Sequence, residues 1–261
     1  MLRLIDKAPD RALNAMLEAR PELSVRIGAL WQAYGPGRNF FNVWLQDGDR
    51  ACLARLDDVF FLVNSSVDVN GGTDWEEIAS LLRMSPAFSC LLTTETAARR
   101  VADRLGSPVS VGTRRLLRMD SLPRGPRPAG VTIDRRPDLR SVYRVAASFF
   151  PMPGGFVAWY TDMSHRLRHG CARAYALWAD GAPASVCLVS AQSGQAGLIS
   201  SVTTLPACRG RGFASALLHA ACADLLQSGR TPTLECRPEL LPFYRERGFR
   251  EFCPMAELRP L

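Results

Sequence analysis

The spacing of apolar residues changes several times along this chain, and each change predicts a helix or a strand. Near the start, apolar residues recur every three or four positions, which predicts one or two amphipathic helices. These residues are Leu13, Met16, Leu17, Leu23, Ile27, Leu30 and Trp31. Three short runs rich in branched and aromatic residues follow at 39–46, 51–56 and 58–64. Their short connections, which include Asp47-Gly48, predict consecutive antiparallel hairpins.

A segment rich in proline and glycine divides the chain at 121–130. Its sequence, SLPRGPRPAG, excludes a helix and a central strand, so it is predicted to be a linker. The pattern before it continues with a helix, a strand, a helix and a strand at 75–82, 88–93, 95–106 and 108–119. We therefore expect an N-terminal α/β domain at 1–120 and a second domain at 131–261.

The second half repeats this mixture of hairpins and helices. Strands are predicted at 131–136, 196–205, 231–237 and 250–258, and a hairpin is predicted at 172–191. Helices are predicted at 137–147, 157–170 and 238–249, a glycine-rich turn that leads into a helix at 209–229, and a loop at 149–156. An all-parallel doubly wound sheet would not begin with hairpins. The predicted fold class is therefore α/β (α+β), with a mixed, mostly antiparallel sheet flanked by helices.

Composition removes several classes of protein. With 47% hydrophobic and 22% charged residues in 261, a disordered chain is excluded. The first residues are too charged for a signal peptide or a spanning helix, so we expect a cytoplasmic protein with no membrane partner. The eight cysteines contain no C-x-x-C pair and are predicted to be reduced packing residues. The net charge of +7 comes from scattered arginines, so we expect no nucleic-acid partner; a small polyanionic ligand explains it equally well.

A glycine-rich turn is the most informative local feature. Pro206 ends a strand, and the chain then passes through Arg209, Gly210, Arg211 and Gly212 before a helix begins. Backbone N–H groups at a helix start have no internal partners, so this turn can cradle an anion such as a phosphate. The alternative interpretation is a tight turn that only starts a helix. The P-loop and G-x-G-x-x-G patterns are absent from the sequence.

Two motifs in sequence resemble the GNAT acetyltransferase superfamily, closest to its FR47-like branch. The first is R-x-x-G-x-A at 209–214, and the second is F-Y-x-x-x-G-F at 243–249. A helix and a strand separate them, and the resemblance covers about residues 131 to 258. It implies a GNAT-like fold, acetyl-CoA as cosubstrate without a metal, and transfer of an acetyl group to a primary amine on a small-molecule or peptide acceptor.

The resemblance also implies roles for individual residues. The strand edge Val202, Thr203 and Thr204 would bind the acetyl carbonyl and the pantetheine arm. The pyrophosphate loop would be formed by Arg209, Gly210, Arg211, Gly212, Phe213 and Ala214. Tyr244 would protonate the departing thiolate, since a phenol with a pKa of about 10 is protonated at neutral pH. Without the upstream loop, Tyr244 would be interpreted as a core aromatic.

Two departures from the family pattern concern the general base and one coenzyme contact. Relatives often have a glutamate before the loop, where this chain has Ser200 and Ser201. Glu235 is a possible substitute as general base, although an ordinary strand-end carboxylate is an equally good interpretation. Where many members have an asparagine, this chain has Arg237.

On the acceptor side, the resemblance points to the loop and helix after the first strand. Phe150, Trp159 and Asp162 are the predicted acceptor residues, although Asp162 also fits a solvated helix carboxylate. His165 and His169 share a helix face, but no third ligand is evident, so we expect no metal site.

The first half contains a weaker echo of the second. Gly106 can be aligned with Gly248 and Ala102 with Tyr244, but no arginine-glycine loop precedes the helix at Trp75. We therefore expect a tandem pair whose first member is degenerate and does not bind coenzyme A; an unrelated α/β cap is the alternative. Two other functions stay open: an inactive coenzyme-A-binding regulatory or scaffolding module, and an arginine-rich nucleic-acid binder.

Overall fold

A computed structural model describes residues 1–64, 72–126, 128–152 and 154–261, with helices on both faces of one sheet. The strands are β1 (Leu2–Leu4), β2 (Phe41–Gln46), β3 (Ala51–Leu56), β4 (Val59–Asn64), β5 (Cys90–Thr94), β6 (Val109–Arg118), β7 (Val131–Asp134), β8 (Arg173–Ala179), β9 (Ala182–Ser193), β10 (Ala196–Thr204), β11 (Thr231–Cys236) and β12 (Arg250–Pro260). The helices are α1 (Arg11–Ala19), α2 (Pro21–Tyr34), α3 (Trp75–Arg83), α4 (Glu95–Leu105), α5 (Leu139–Ala147), α6 (Gly155–Arg168), α7 (Phe213–Gln227) and α8 (Leu241–Arg245).

Most predicted elements are present, and the differences have local causes. The helical pattern near the start forms two helices, because Pro21 begins a new helix directly after Arg20. β1 was not predicted, since three residues are too few to show a period. The helix expected at 238–249 is reduced to a 3₁₀ turn at Pro238–Leu240 and the short α8. Arg127 of the predicted linker and Pro153 of the predicted loop lie outside the described residues.

The two halves of the chain follow the same strand order. The sheet runs β1-β2-β3-β4-β5-β12-β6-β11-β10-β9-β8-β7, which reads as two copies of one pattern meeting in the middle. In each copy four strands pair antiparallel in sequence, and the fourth and fifth pair parallel across a helix, α3 in the first half and α7 in the second. This shared order agrees with the predicted tandem pair.

The last strand of each half lies in the sheet of the other half. β6 pairs with β11 of the second half, and β12 pairs with β5 of the first half. β6 and β12 also pair with each other along their whole length, from Arg250–Arg118 to Pro260–Val109. The sequence predicted two consecutive domains; in the structure their final strands are exchanged, and a single sheet results.

This exchange predicts that a fragment of residues 131–261 will not form a stable monomer. Without β6, β11 loses its antiparallel partner and β12 is no longer joined to the rest of the sheet. We expect the fragment to be unfolded or oligomeric in circular dichroism and size-exclusion chromatography. A monomeric fragment that unfolds cooperatively at the temperature of the full chain would contradict this expectation.

The helices are divided between the two faces of the sheet. Helices α3, α4, α7 and α8 pack on one face and α1, α2, α5 and α6 on the other. Helix α2 extends from the first half onto the second, where Val25 and Ala29 contact Ala191 and Leu198. Gly28 permits this approach, because a Cβ there would lie 2.1 Å from the Ser193 hydroxyl.

The cysteines and the lengths of the helices bear on two expectations from the sequence. All eight cysteines are unpaired, and six are buried, which agrees with their predicted packing role. Within the described ranges, no helix has the length and apolar character needed to cross a bilayer.

Candidate functional site

Strands β10 and β11 separate at one end and leave an opening in the sheet. Their parallel pairing begins at Ala196 and Thr231 and ends at Ile199 and Leu234. β10 nevertheless continues to Thr204, and β9, on its other side, is the one strand among the described residues that pairs with it there. The edge of β10 that faces β11 therefore has backbone groups available to a ligand from residue 200 onwards. We call the opening between residues 200–204 and 235–236 the wedge.

A β-bulge shapes the β10 side of the wedge. Ser200 pairs with Leu188 and Thr203 with Val186, so Ser201 and Val202 together face one residue of β9. Ser201 has a φ of 49°, a left-handed conformation that is unusual for serine. Thr203 is buried, and its hydroxyl has no hydrogen-bond partner among the described residues. Bulges and unsatisfied polar groups of this kind are typical of binding sites.

The predicted anion loop lies next to the wedge. After the 3₁₀ turn Pro206–Cys208, the chain reaches α7, whose N-cap Gly212 offers no side-chain cap. Within the described residues, no backbone amide from Gly210 to Ser215 donates a hydrogen bond. These consecutive free N–H groups, together with the positive end of a helix dipole, form a cradle for an anion. We call residues 209–215 the amide cradle.

The glycines of the amide cradle are required by its backbone conformation. Gly210 and Gly212 both have a φ of 77°, which favours glycine, and the space around each is open. Arg209 donates to the Thr204 carbonyl at 3.3 Å, and Arg211 stacks over the Phe213 ring at 4.7 Å. Arg211 also lies 3.9 Å from Asp180, but half of its side chain stays exposed. Both arginines therefore add positive charge around the free amides.

Tyr244 is buried between α7 and the sheet. It is 9% exposed and belongs to the core cluster that includes Phe213, Cys187 and Cys236. Burial is the main cause that raises the pKa of Tyr244 above its ordinary value of 10. Its hydroxyl makes no hydrogen bond to any described residue, so it is available as a proton donor. Cys187 lies opposite the bulge, and Cys236 ends β11, so Tyr244 is close to the wedge.

Glu235 points to the opposite face of the sheet, where α2 covers it. Its neighbours Leu234 and Cys236 pack on the α7 side, so the alternation of a strand directs Glu235 to the other side. Arg26 of α2 donates from Nη1 to Glu235 Oε1 at 2.5 Å, and only 8% of the glutamate side chain is exposed. One carboxylate oxygen of the predicted general base is therefore already hydrogen-bonded to an arginine of the first half.

The predicted acceptor residues lie on and just before α6. The Phe150 ring stacks edge-on against Phe149, and the Trp159 ring lies 5.4 Å from Tyr143 on α5. Asp162 accepts from Tyr34 at 2.5 Å and forms an ion pair with Arg166. It is therefore a link between α2 and α6 rather than a solvated helix carboxylate.

Ser200, Ser201 and Arg237 lie on the two chain segments that border the wedge. The two serines form the start of the wedge and its bulge, and Arg237 is exposed at the end of β11. Within the described parts of the chain, no group of three or more His, Cys, Asp and Glu side chains is arranged to hold a metal.

In the first half, the helix start that corresponds to the start of α7 is that of α3, and it is acidic. Asp74 caps α3 by accepting from the Glu77 amide at 3.0 Å, and Glu76 and Glu77 lie in the first turn. Three carboxylates at a helix start repel an anion, whereas the start of α7 has free amides and two arginines. Most of the segment before α3, where the sequence showed no arginine-glycine loop, lies outside the described residues. Gly106 and Gly248 correspond as predicted, since both have positive φ and precede β6 and β12.

Arg26 and Tyr34 are the site residues that the sequence analysis missed. Arg26 contacts Glu235, which is 209 positions away, and Tyr34 contacts Asp162, which is 128 positions away. Neither residue lies in a motif, and their helical pattern indicates only an amphipathic helix, so nothing in the sequence marked them.

Comparison with known proteins gives a family match within the second half of the chain. Residues 139–249 match the model of the Acetyltransferase (GNAT) family. This range contains the wedge, the amide cradle and Tyr244. No curated protein matches the sequence significantly. The C-terminal half therefore contains a GNAT domain, in agreement with the resemblance seen in its motifs.

Three solved structures are similar over nearly the whole chain. A GCN5-related N-acetyltransferase from Sphaerobacter thermophilus is 19% identical, with 99% of this chain and 95% of that chain covered and a TM-score of 0.61. A tandem GNAT protein from the clavulanic acid biosynthesis pathway is 14% identical, with 99% and 98% covered and a TM-score of 0.60. A Drosophila protein is 9% identical, with 100% and 98% covered and a TM-score of 0.68. At these identities the likeness shows the fold, which consists of two GNAT-like units.

Proposed function

We propose that this protein is an acetyl-CoA-dependent N-acetyltransferase whose second half binds the coenzyme and whose first half is non-catalytic. The family itself consists of acetyltransferases that use acetyl-CoA. The observation on which the proposal rests is the run of free amides from Gly210 to Ser215, directly beside the wedge. The division into 1–120, 121–130 and 131–261, the FR47-like branch and a cytoplasmic location stay predictions.

The chain's own groups fit the coenzyme at three places. The amide cradle would hold the pyrophosphate through residues 209–214. The exposed edge of β10 at Val202, Thr203 and Thr204 would bind the pantetheine amides, as an added strand does. The unsatisfied Thr203 hydroxyl supplies one further polar group at this edge. Acetyl-CoA supplies the acetyl group as a thioester.

Tyr244 and the wedge would promote the transfer itself. Free N–H groups at the bulge would stabilise negative charge on the acetyl oxygen, and the Tyr244 hydroxyl would donate its proton to the departing sulfur. The attacking amine must lose a proton, and Glu235 stays the proposed acceptor of that proton, directly or through water. Its Oε2 atom has no partner among the described residues, while Arg26 holds Oε1 in place.

The acceptor would approach from the face that α2, α5 and α6 cover. Phe150 and Trp159 are proposed to contact it through aromatic surface. Asp162 stays a proposed acceptor contact, but its bonds to Tyr34 and Arg166 also make it part of the joint between the halves. The acceptor class is a small-molecule or peptide amine.

We expect one coenzyme A molecule per chain. The acid-capped start of α3 repels the phosphates that the start of α7 binds. Isothermal titration calorimetry of the full chain should therefore give a stoichiometry near one, and a stoichiometry near two would contradict the assignment of the first half. No binding heat and no change in melting temperature with coenzyme A or acetyl-CoA would refute the proposed function as a whole.

An inactive coenzyme-binding module is the second candidate function. The observation that favours it is the Arg26–Glu235 ion pair, because it occupies one oxygen of the proposed general base and holds the other in a largely buried side chain. Release of free thiol from acetyl-CoA in the presence of amine acceptors separates the two candidates. Thiol release that depends on both the amine and Tyr244 supports the enzyme.

A further inference from the structure

Helix α2 belongs to the first half of the chain, but its C-terminal part is fixed to the second half. Gln32 donates from Nε2 to the His169 carbonyl at 3.1 Å, and the His165 Nε2 atom lies 2.8 Å from the Ala33 carbonyl oxygen. Gly28 brings the middle of the helix against the end of β9. Helix α2 therefore has a defined position over β9 and β10, on the face opposite α7.

Arg26 extends from this helix to the proposed general base. Its Nη1 atom donates to Glu235 Oε1 at 2.5 Å, and the two side chains are 24% and 8% exposed. An arginine can bind a carboxylate through two parallel N–H bonds, but this contact uses one nitrogen and one oxygen. The other oxygen, Oε2, makes no hydrogen bond to any described residue and can accept a proton from a ligand.

Glu235 lies at the opening of the sheet. The parallel pairing of β11 with β10 ends at Leu234, so Glu235 is the first residue on the β11 side of the wedge. On its other side it pairs with Leu116 of β6, which fixes the backbone. Its side chain is on the face that α2 covers, which is also the face from which the acceptor would approach. The carboxylate is therefore beside the place where the amine would attack.

The backbone alone does not fix the carboxylate, because a glutamate side chain rotates about several bonds. Among the described residues, Arg26 is the one group that hydrogen-bonds to this side chain. A displacement of a reacting group by about 1 Å can lower a rate by about 100-fold. The bond from Arg26 to Oε1 determines where Oε2 lies, and so whether Oε2 can reach the amine.

We propose that Arg26 is a positioning residue for the transfer reaction and acts by holding Glu235 Oε1 so that Oε2 faces the acceptor amine. The first half would then contain no catalytic group of its own but would supply a side chain on which the catalytic base depends. This inference rests on the proposed function, because it assumes that the second half transfers an acetyl group to an amine.

In the reaction itself, Arg26 gives up no proton and forms no covalent bond. The amine nitrogen bonds to the acetyl carbon, and the bond between that carbon and the sulfur breaks. Glu235 Oε2 takes a proton from the amine, and the departing sulfur takes one from Tyr244. Water returns both groups to their starting states by accepting a proton from Glu235 and supplying one to Tyr244.

A double-mutant cycle on the full chain tests this role. Initial rates of thiol release from acetyl-CoA would be measured with 2-phenylethylamine, lysine and a peptide with a free N-terminus. We expect Glu235→Gln to lower kcat by about 100-fold and Arg26→Met to lower it by about 10-fold or more. The double variant should lose about 100-fold rather than the product of about 1000-fold, since Arg26 has no base left to position. The dissociation constant of coenzyme A should stay near the wild-type value in all three.

Rescue by lysine separates positioning from a general effect on folding. The ion pair uses one guanidinium nitrogen, so an ammonium can replace the contact, and Arg26→Lys should recover most of the turnover that Arg26→Met loses. Arg26→Met leaves a buried carboxylate unpaired and can be unstable, whereas the double variant leaves no unpaired charge. The comparison of the double variant with Glu235→Gln therefore tests the proposal even where Arg26→Met does not fold.

Glu22 provides a matched control on the same helix. It lies one turn before Arg26, its side chain is 12% exposed, and its Oε1 atom accepts from Arg118 Nη1 at 3.0 Å. Glu22→Gln weakens an ion pair of similar burial that does not involve Glu235. Its melting temperature should fall, as that of Arg26→Met should, but its kcat should equal that of the wild type.

The outcomes distinguish this inference from the proposed function. Turnover of Arg26→Met at or above the wild-type rate, or a product of the two single losses in the double variant, would overturn the inference and leave the proposed function intact. Wild-type turnover in Glu235→Gln would do the same. Coenzyme binding by the wild-type chain without thiol release with any of the three amines would overturn it in favour of the inactive module. No coenzyme binding would refute the proposed function and, with it, this inference.

Discussion

Replacing Tyr244 with phenylalanine should lower turnover by about 100-fold while the dissociation constant of coenzyme A stays near the wild-type value. A general acid typically contributes a factor of about 10² to 10⁴, and the substitution removes only the hydroxyl. The ring packs against Phe243 and Phe249 through edge contacts that phenylalanine preserves. Since the hydroxyl bonds to no described residue, its removal breaks no hydrogen bond there, and we expect little change in folding stability.

The pKa of Tyr244 determines the sign of the pH dependence. Burial raises it above 10, so the phenol stays protonated throughout the neutral range and beyond its ordinary value. A proton donor is lost only when pH exceeds its pKa. Turnover should therefore not decline between pH 7 and about 10 through Tyr244. Initial rates from thiol release at several pH values measure this directly.

Tyr175 provides a matched control for Tyr244. It is 1% exposed, and its hydroxyl donates to Asp224 at 3.1 Å. Tyr175→Phe removes that hydrogen bond to a carboxylate and should cost about 1.5–3 kcal/mol of folding free energy, but it should leave turnover unchanged. If Tyr244→Phe turned over as fast as the wild type at every pH, Tyr244 would have no catalytic role.

The amide cradle could be predicted from sequence because its causes are local. A proline that ends a strand, two glycines and an apolar helix directly afterwards determine where the free amides lie. The structure adds what a pattern of residue types does not contain: both glycines have a φ of 77°, and the bulge at Ser201 precedes them. A serine in a left-handed conformation has no sequence signature here, because it belongs to a bulge in the pairing of β10 with β9.

The exchange of β6 and β12 could not be predicted from the sequence. The residues of each strand fit equally well at the edge of their own half and in the sheet of the other half. Both strands follow a helix and a glycine of positive φ, Gly106 or Gly248, and both have one apolar face. Pairing β6 with β5 or with β11 buries the same kind of surface, so hydrophobic spacing does not distinguish them. For the same reason the contacts of α2 with Glu235 and Asp162 follow from tertiary packing alone.

Replacing Gly212 with glutamate should weaken coenzyme A binding by about 100-fold or more. The new carboxylate would stand at the start of α7, where the free amides of the cradle now face open space. Two charges about 4 Å apart repel by roughly 1 kcal/mol in water and about 4 kcal/mol near a protein surface, and 100-fold corresponds to about 2.7 kcal/mol. Calorimetry with coenzyme A measures the loss.

The same substitution at the other end of α7 separates charge repulsion from backbone strain. Gly229 has a φ of 72°, close to the 77° of Gly212, and nothing lies within 4 Å of a Cβ built on either residue. Each glutamate should therefore incur a similar strain of about 1–2 kcal/mol. A carboxylate favours a helix start and disfavours a helix end, so Gly229→Glu should be the less stable variant. If Gly229→Glu binds coenzyme A normally while Gly212→Glu does not, instability cannot explain the loss, and the diphosphate lies at the amide cradle. Wild-type affinity in both variants would place the diphosphate elsewhere.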